Sequence, residues 1–344
     1  MKQLLAYIID SAYTGFIGLQ FFSSNPTSEK KNISEITTTE LWDLPIFNCS
    51  RDDILPNVKI IPSYKYPWGF SSKICFESGL AIADQEFESR MVWGRYYHQN
   101  PLDPKTGKVI GMRPTLIIIP GWLCSSYSIY RQVSIPFIEQ GFDCLVLALP
   151  YHLERTPSKS FSGEQMFTPD LSKSLKAIQQ SVSDVIQAIT WLHSQGSESV
   201  GLLGMSLGGL ISGLVTTREP NLGYSMLWVP AACLEKPMRH SALCHHLKQR
   251  LFAAGVNLRE LNFLSKLTEP ATYLPAIDRE RILFIEGLYD RTIKPTWIER
   301  WWKTWGEPPI LRVPHGHLSG LFDESLIDQM ARFAKSSIDP PPVL

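Results

Sequence analysis

Ser206 stands between Gly204 and Gly208 in S-V-G-L-L-G-M-S-L-G-G-L-I-S-G-L-V, where an apolar strand-like run passes into a helix-like one. A serine so placed can attack an acyl carbon if a base takes its proton and an acid orients that base. With Gly and Ser at roughly 7% each, G-x-S-x-G arises by accident in about one chain in ten of this size. The pattern alone therefore decides nothing, and the partners must be found. I-L-F-I-E-G-L-Y-D-R-T-I-K-P places Asp290 just past a later apolar run, and L-R-V-P-H-G-H-L-S-G-L-F places His315 and His317 just past the last one.

The glycines around Ser206 have a physical reason. A strand that turns directly into a helix crowds its own backbone, so a side chain at 204 or 208 would clash. Gly209 lets the following helix approach the sheet. The same turn aims the Leu207 N–H and the positive helix end at an oxyanion forming beside Ser206.

These loops need a scaffold that brings strand ends together. T-L-I-I-I (115–119), D-C-L-V-L-A-L (143–149), S-V-G-L-L (199–203), Y-S-M-L-W-V (224–229), R-I-L-F-I-E (281–286) and P-I-L-R-V (309–313) are apolar runs of strand length. Helical stretches alternate with them, over 127–140, over 171–194 and after Ser206. Such alternation predicts a mostly parallel sheet covered on both faces, with ligands bound beyond the carboxyl ends of its strands. K-I-C-F-E and M-V-W-G-R-Y-Y add a hairpin at the start. About fifty residues separate the strands ending near 229 and starting near 281, more than one crossover helix needs. The expectation is a helical lid inserted at about 233–270.

G-M-S-L-G-G, G-L-Y-D-R-T-I-K-P and H-G-H-L-S-G-L-F together resemble the nucleophile, acid and histidine loops of the α/β-hydrolase superfamily, and the resemblance runs over roughly residues 73–338. It implies an α/β-hydrolase fold and a Ser206–His317–Asp290 triad, because Ser, Asp, His is the chain order of that fold. The histidine loop of related enzymes often reads G-G-H, which aligns His317 with the base and His315 with a glycine. In many relatives a histidine precedes the glycine of the oxyanion loop; here Pro120 does, in I-I-I-P-G-W-L-C-S-S. The resemblance makes the Trp122 N–H the second oxyanion donor beside that of Leu207, with Leu123 the other choice.

The implied activity is a serine hydrolase acting on a carboxylic ester or related acyl bond of a small molecule, without metal or organic cofactor. The same apparatus also serves acyl transfer or thioester cleavage, and a silent binding module could keep the fold. Other residues offer lesser roles. His152 and Arg155, in A-L-P-Y-H-L-E-R-T-P, follow a strand and can contact a polar part of the substrate; Arg155 can equally pair with Glu154 or tie its loop down. Glu235 is a substitute acid. Cys124 lacks the elbow a nucleophile needs. Trp297, Trp301 and Trp305 form a helical packing stripe. His240, His245 and His246 lack the acidic or cysteine partners of a metal site.

Composition bounds the partners. The 344 residues carry 33 basic and 33 acidic side chains, so no net field attracts nucleic acid. With 44% hydrophobic residues the chain can bury a large core. Its six cysteines, Cys49, Cys75, Cys124, Cys144, Cys233 and Cys244, are scattered and read as reduced thiols in the cytoplasm. Residues 1–70 are expected to be an extension of the domain at 71–339, an apolar helix over 1–22 followed by an irregular arm rich in proline (Pro45, Pro56, Pro62, Pro67). The helix has three readings: packed on the main domain, anchored on a membrane surface, or an unusual signal peptide. Asp10 and Ser11 interrupt it as a span.

Overall fold

The computed structural model describes residues 2–22, 42–43, 54–80, 87–103, 105–106 and 108–339. Cys49, Pro45 and most of the stretch read as an arm lie outside the described residues. Nine strands form one sheet among those described, in the order β1-β2-β3-β5-β4-β6-β7-β8-β9. They are β1 (Lys59–Tyr66), β2 (Gly69–Glu77), β3 (Met91–His98), β4 (Thr115–Ile119), β5 (Asp143–Leu147), β6 (Val200–Met205), β7 (Tyr224–Trp228), β8 (Ile282–Gly287) and β9 (Ile310–Val313). From β5 to β9 every pairing is parallel, whereas β1, β2 and β3 are joined antiparallel to one another and to β5.

The five strands β4 to β8 are buried at every position, which is why they read as unbroken apolar runs. Alternate side chains serve opposite layers. Ile117, Leu145, Leu202 and Phe284 pack with helices α3 (Leu171–Ser194), α4 (Leu207–Thr216) and α8 (Pro295–Thr304). Leu116, Val146, Leu203 and Ile285 pack with α2 (Ser128–Glu139) and α9 (Glu324–Ile338). Helix α3 starts where the Asp170 carboxylate accepts the Lys173 N–H and stops before Gly196, whose φ is 99°. Trp301 of α8 and Trp305 just after it are buried and Trp297 is half-buried, as a packing stripe requires.

One expectation is corrected here. Residues 59–66 are not part of an irregular arm but the edge strand β1, turned onto β2 through Pro67 and Trp68. Pro62 is tolerated because an edge strand needs no N–H there, and the register shifts between Pro62 and Tyr64.

The segment between β7 and β8 holds three helices, α5 (Glu235–His240), α6 (His245–Ala253) and α7 (Leu258–Thr268), over the carboxyl edge of the sheet. Asn257 and Glu260 form a capping box that begins α7. Helix α1 (Lys2–Phe22) lies against this lid and against the loop after β9. Ala6, Ile17, Gly18 and Phe21 are buried along it. The Arg250 guanidinium of α6 donates to the Phe21 carbonyl at 2.7 Å and stacks 4.7 Å from the Phe21 ring centre. Of the lid histidines, His246 stacks on Phe21, while His240 and His245 are exposed.

Candidate active site

The β6–α4 turn holds Ser206 at φ 56° and ψ −115°, a conformation that L-residues rarely adopt. Its neighbours explain how the turn closes. A Cβ at Gly204 would lie 2.1 Å from the Gly208 oxygen, and one at Gly208 would lie 2.0 Å from the Ile119 oxygen. A Cβ at Gly209 would meet Pro230 at 2.7 Å. The chain can turn this sharply against β4 only because all three lack side chains.

Ser206, His317 and Asp290 meet at the ends of β6, β9 and β8. The Ser206 hydroxyl lies 2.9 Å from His317 Nε2, and His317 Nδ1 lies 2.7 Å from Asp290 Oδ2. An ionised carboxylate only accepts, so Nδ1 carries the proton and Nε2 is left to accept from the serine. Asp290 divides its oxygens. Oδ2 holds the imidazole, and Oδ1 accepts the N–H groups of Thr292 and Ile293 at 2.7 and 2.8 Å. The local turn at Thr292 and the long-range contact with His317 therefore coexist in one side chain. Burial pulls the His317 pKa down, but the Asp290 charge and hydrogen bond, with a smaller push from Asp10, more than reverse it. The imidazole sits above its ordinary value.

His315 takes a different partner. Its Nε2 lies 2.7 Å from Asp323 Oδ2, and Asp323 caps helix α9 through the N–H groups of Ser325 and Leu326. Glu235 pairs with Arg239 along α5 at 2.8 Å and takes no part in the constellation.

A cavity of about 480 Å³ opens at Ser206 and His317. Trp122 and Leu207 line it, and among the described residues neither of their backbone N–H groups has an acceptor. The loop carrying Trp122 is fixed from several sides. Gly121 donates to the Tyr130 hydroxyl at 3.0 Å, the Trp122 indole donates to the Gly163 carbonyl at 2.9 Å, and Leu123 donates to His152 Nε2 at 3.1 Å. Leu123 is thus committed elsewhere, so of the two candidate donors Trp122 is the one whose N–H has no acceptor among the described residues. Leu234, Met238, Leu243 and Leu247 wall the cavity from the lid, and Ile9 and Tyr13 from α1. Among the described residues its lining contains no Asp, Glu, Lys or Arg. Cys124 also faces it, but burial raises the thiol to about 11, which keeps it protonated and unreactive.

Two sequence-read site residues are corrected. His152 and Arg155 follow β5 as expected, yet both point into the protein and neither lines the cavity. Tyr151 and Leu153 have φ of 65° and 52°, and these two turns fold the loop back on itself. His152 Nδ1 donates to the Pro150 carbonyl at 2.8 Å, and burial lowers its pKa to about 4. Arg155 binds the Asp184 carboxylate and the carbonyls of Ala148 and Ser89 at 2.7 to 3.0 Å. It ties its loop down, as the alternative reading had it, although the acid is Asp184 and not Glu154.

Sequence reasoning missed Asp10. This carboxylate of α1 accepts the backbone N–H groups of His317 and Leu318 at 2.8 and 3.0 Å. One acid within an otherwise nearly uncharged helix was the available signal. Tyr130, which supports Gly121, left no comparable trace.

A serine on a strand-to-helix elbow, the strand order and the three loop positions are those of the α/β-hydrolase fold. Residues 96–234 match the family described as alpha/beta hydrolase domain containing 18. An uncharacterized protein of Mycobacterium tuberculosis is 29% identical over 208 residues, 58% of this chain and 47% of that protein. The chain thus spans about half the length of the curated relatives it matches. Among solved structures, an acetyl xylan esterase from a Paenibacillus species superposes with a TM-score of 0.62 at 14% identity, covering 93% of this chain and 98% of that one. Acetyl xylan esterase 1 from a Thermoanaerobacterium species gives 0.60 at 14%, with the same coverage. At that identity the likeness is one of fold.

Proposed function

We propose that this chain is a serine hydrolase that cleaves a carboxylic ester or related acyl bond through an acyl-enzyme on Ser206. The observation that carries the reading is the chain of contacts from Ser206 through His317 to Asp290 at the floor of an apolar cavity. His317 takes the Ser206 proton as Oγ attacks the acyl carbon. The N–H groups of Trp122 and Leu207 stabilise the oxyanion. His317 passes the proton to the departing alcohol, then takes one from a water that attacks the acyl-enzyme and regenerates Ser206. Asp290 keeps Nδ1 protonated and stabilises the imidazolium.

The uncharged lining indicates a neutral apolar acyl group, since a charged one would be desolvated without a partner. A fluorophosphonate probe tests the nucleophile. Labelling of the wild type that Ser206→Ala abolishes is the expected result, and a folded but unlabelled wild type overturns it. A series of p-nitrophenyl esters then tests the acyl group: kcat/KM should rise from acetate to longer neutral chains and fall when the chain ends in a carboxylate.

We propose also that the outer face of α1 rests on a lipid surface. Lys2 and Asp10 are its charged residues, and Asp10 is turned inward to the histidine loop. Leu4, Leu5, Ile8, Phe16 and Leu19 face outward, each more than half exposed. A surface helix in water carries the opposite polarity. Co-sedimentation with phosphatidylcholine vesicles should be lost in Leu5→Glu/Leu19→Glu. No binding by the wild type, or a stable dimer formed through this face, would refute the proposal.

A further inference from the structure

We propose that Asp10 is a positioning residue of the active site, fixing the catalytic histidine from the N-terminal helix. The inference rests on the hydrolase reading and adds a component that stands 307 residues away from His317 in the chain.

The geometry is two-pronged. Asp10 Oδ2 accepts the N–H of His317 itself and Oδ1 accepts that of Leu318, so one carboxylate clamps consecutive peptide units of the histidine loop. Hydrogen bonds from N–H to an ionised acceptor are roughly twice as strong as neutral ones. The loop is shaped to receive α1. A Cβ at Gly316 would stand 2.4 Å from Asp10 Oδ2 and 3.1 Å from Ala6 Cβ, so a side chain there would push the helix off. The same helix sends Ile9 and Tyr13 into the cavity, and Arg250 pins its far end at the Phe21 carbonyl. Helix α1 is therefore built into the site.

The carboxylate acts on His317 in two ways. Through the backbone it fixes the position from which Nε2 reaches Ser206. Through space its negative charge adds to that of Asp290 and favours the imidazolium. Burial raises the Asp10 pKa, and the two N–H bonds oppose that. The other titratable groups lining the cavity, Tyr13, Cys124, Tyr130 and Cys244, are kept neutral by burial, and His315 faces Asp323. Asp290 and Asp10 are thus the charges that set the protonation of His317.

Asp10→Asn separates this role from simple helix docking, because the amide retains one acceptor and the shape but loses the charge. Thermal melting checks that the variant folds. In the folded variant kcat should fall by about tenfold to a hundredfold with KM little changed, as for a small misplacement of a catalytic group. The acid limb of the kcat/KM profile should move to lower pH. NMR titration of the His317 ring should show the same downward move, and that readout needs no turnover. If Asp10→Asn does not fold, the same measurements on Gly316→Ala, which displaces the carboxylate by crowding, replace it. An unmoved His317 titration with an unchanged kcat would overturn the positioning role. A wild type whose Ser206 resists the fluorophosphonate would overturn the hydrolase reading instead, while the titration would still decide whether Asp10 sets the histidine.

Discussion

Leu123 donates its backbone N–H to Nε2 of the buried His152 at 3.1 Å, so the peptide beside the proposed oxyanion donor Trp122 is held by an imidazole that never meets the cavity. This acceptor exists only while His152 is neutral, and burial keeps it so by lowering its pKa to about 4.

Replacing that imidazole should loosen the oxyanion loop without touching the triad. His152→Ala is expected to lower kcat by up to roughly 10²-fold, the scale of a 1 Å displacement in a catalytic group. The rate of fluorophosphonate labelling should fall in parallel. The sign of the pH effect on stability follows from the lowered value. Between about 6.5 and about 4 the unfolded chain binds a proton at His152 that the fold does not, so stability falls as pH falls through this window. The difference corresponds to roughly 3 kcal/mol at full extent. Urea melts from pH 7 to pH 4 should show a shallower loss in His152→Gln than in the wild type.

His317 behaves in the opposite sense, because its pKa is raised. As a base it must be neutral, so kcat/KM should rise with pH through an apparent pKa above about 6.5. The stability that its contacts contribute is fully present below about 6.5 and is lost as pH rises through the folded value. Activity and this part of stability therefore run against each other. His317→Ala should abolish the limb together with most of the activity, whereas His315→Ala should keep the limb and weaken α9 through Asp323. Equal losses in kcat for the two would reject the assignment of the base.

How far the sequence disclosed this site depends on what each residue's neighbours had to be. Ser206, Asp290 and His317 were legible because each sits in a short loop whose glycines or strand end mark the turn locally. His152 and Arg155 were placed at the correct edge, but their direction was set by positive φ at Tyr151 and Leu153, which no side-chain pattern announces. Strand β1 was hidden because Pro62 and an edge position erase the alternation expected of a strand. Asp10 looks in the sequence only like an interruption of an apolar helix, since its partners are backbone groups of a loop at the far end of the chain.

Asp290→Asn should fold and yet be nearly inactive. The amide oxygen can remain at the Oδ1 position and accept from Thr292 and Ile293, which preserves the loop. The amide nitrogen then faces His317 Nδ1 and donates to it, forcing the proton to Nε2, the wrong side for accepting from Ser206. A loss of kcat on the order of 10⁴-fold is expected, the scale seen when a triad acid becomes an amide. Circular dichroism and melting should be close to wild type; a variant that is folded and fully active would show that Asp290 does not set the tautomer.

The Arg155–Asp184 pair tests whether the loop after β5 is structural. Both side chains are almost wholly buried, 2.7 Å apart, and Asp184 also accepts from the Ser78 hydroxyl. Arg155→Met would leave a buried carboxylate without its charge partner, at a cost of about 3–5 kcal/mol. Arg155→Met/Asp184→Leu removes both charges and should recover much of that loss, as buried pairs replaced by apolar residues commonly do. Neither residue lines the cavity, so the folded double variant should retain the wild-type kcat and the same preference among esters. A selective loss of activity toward anionic or polar esters in that variant would return Arg155 to the substrate site.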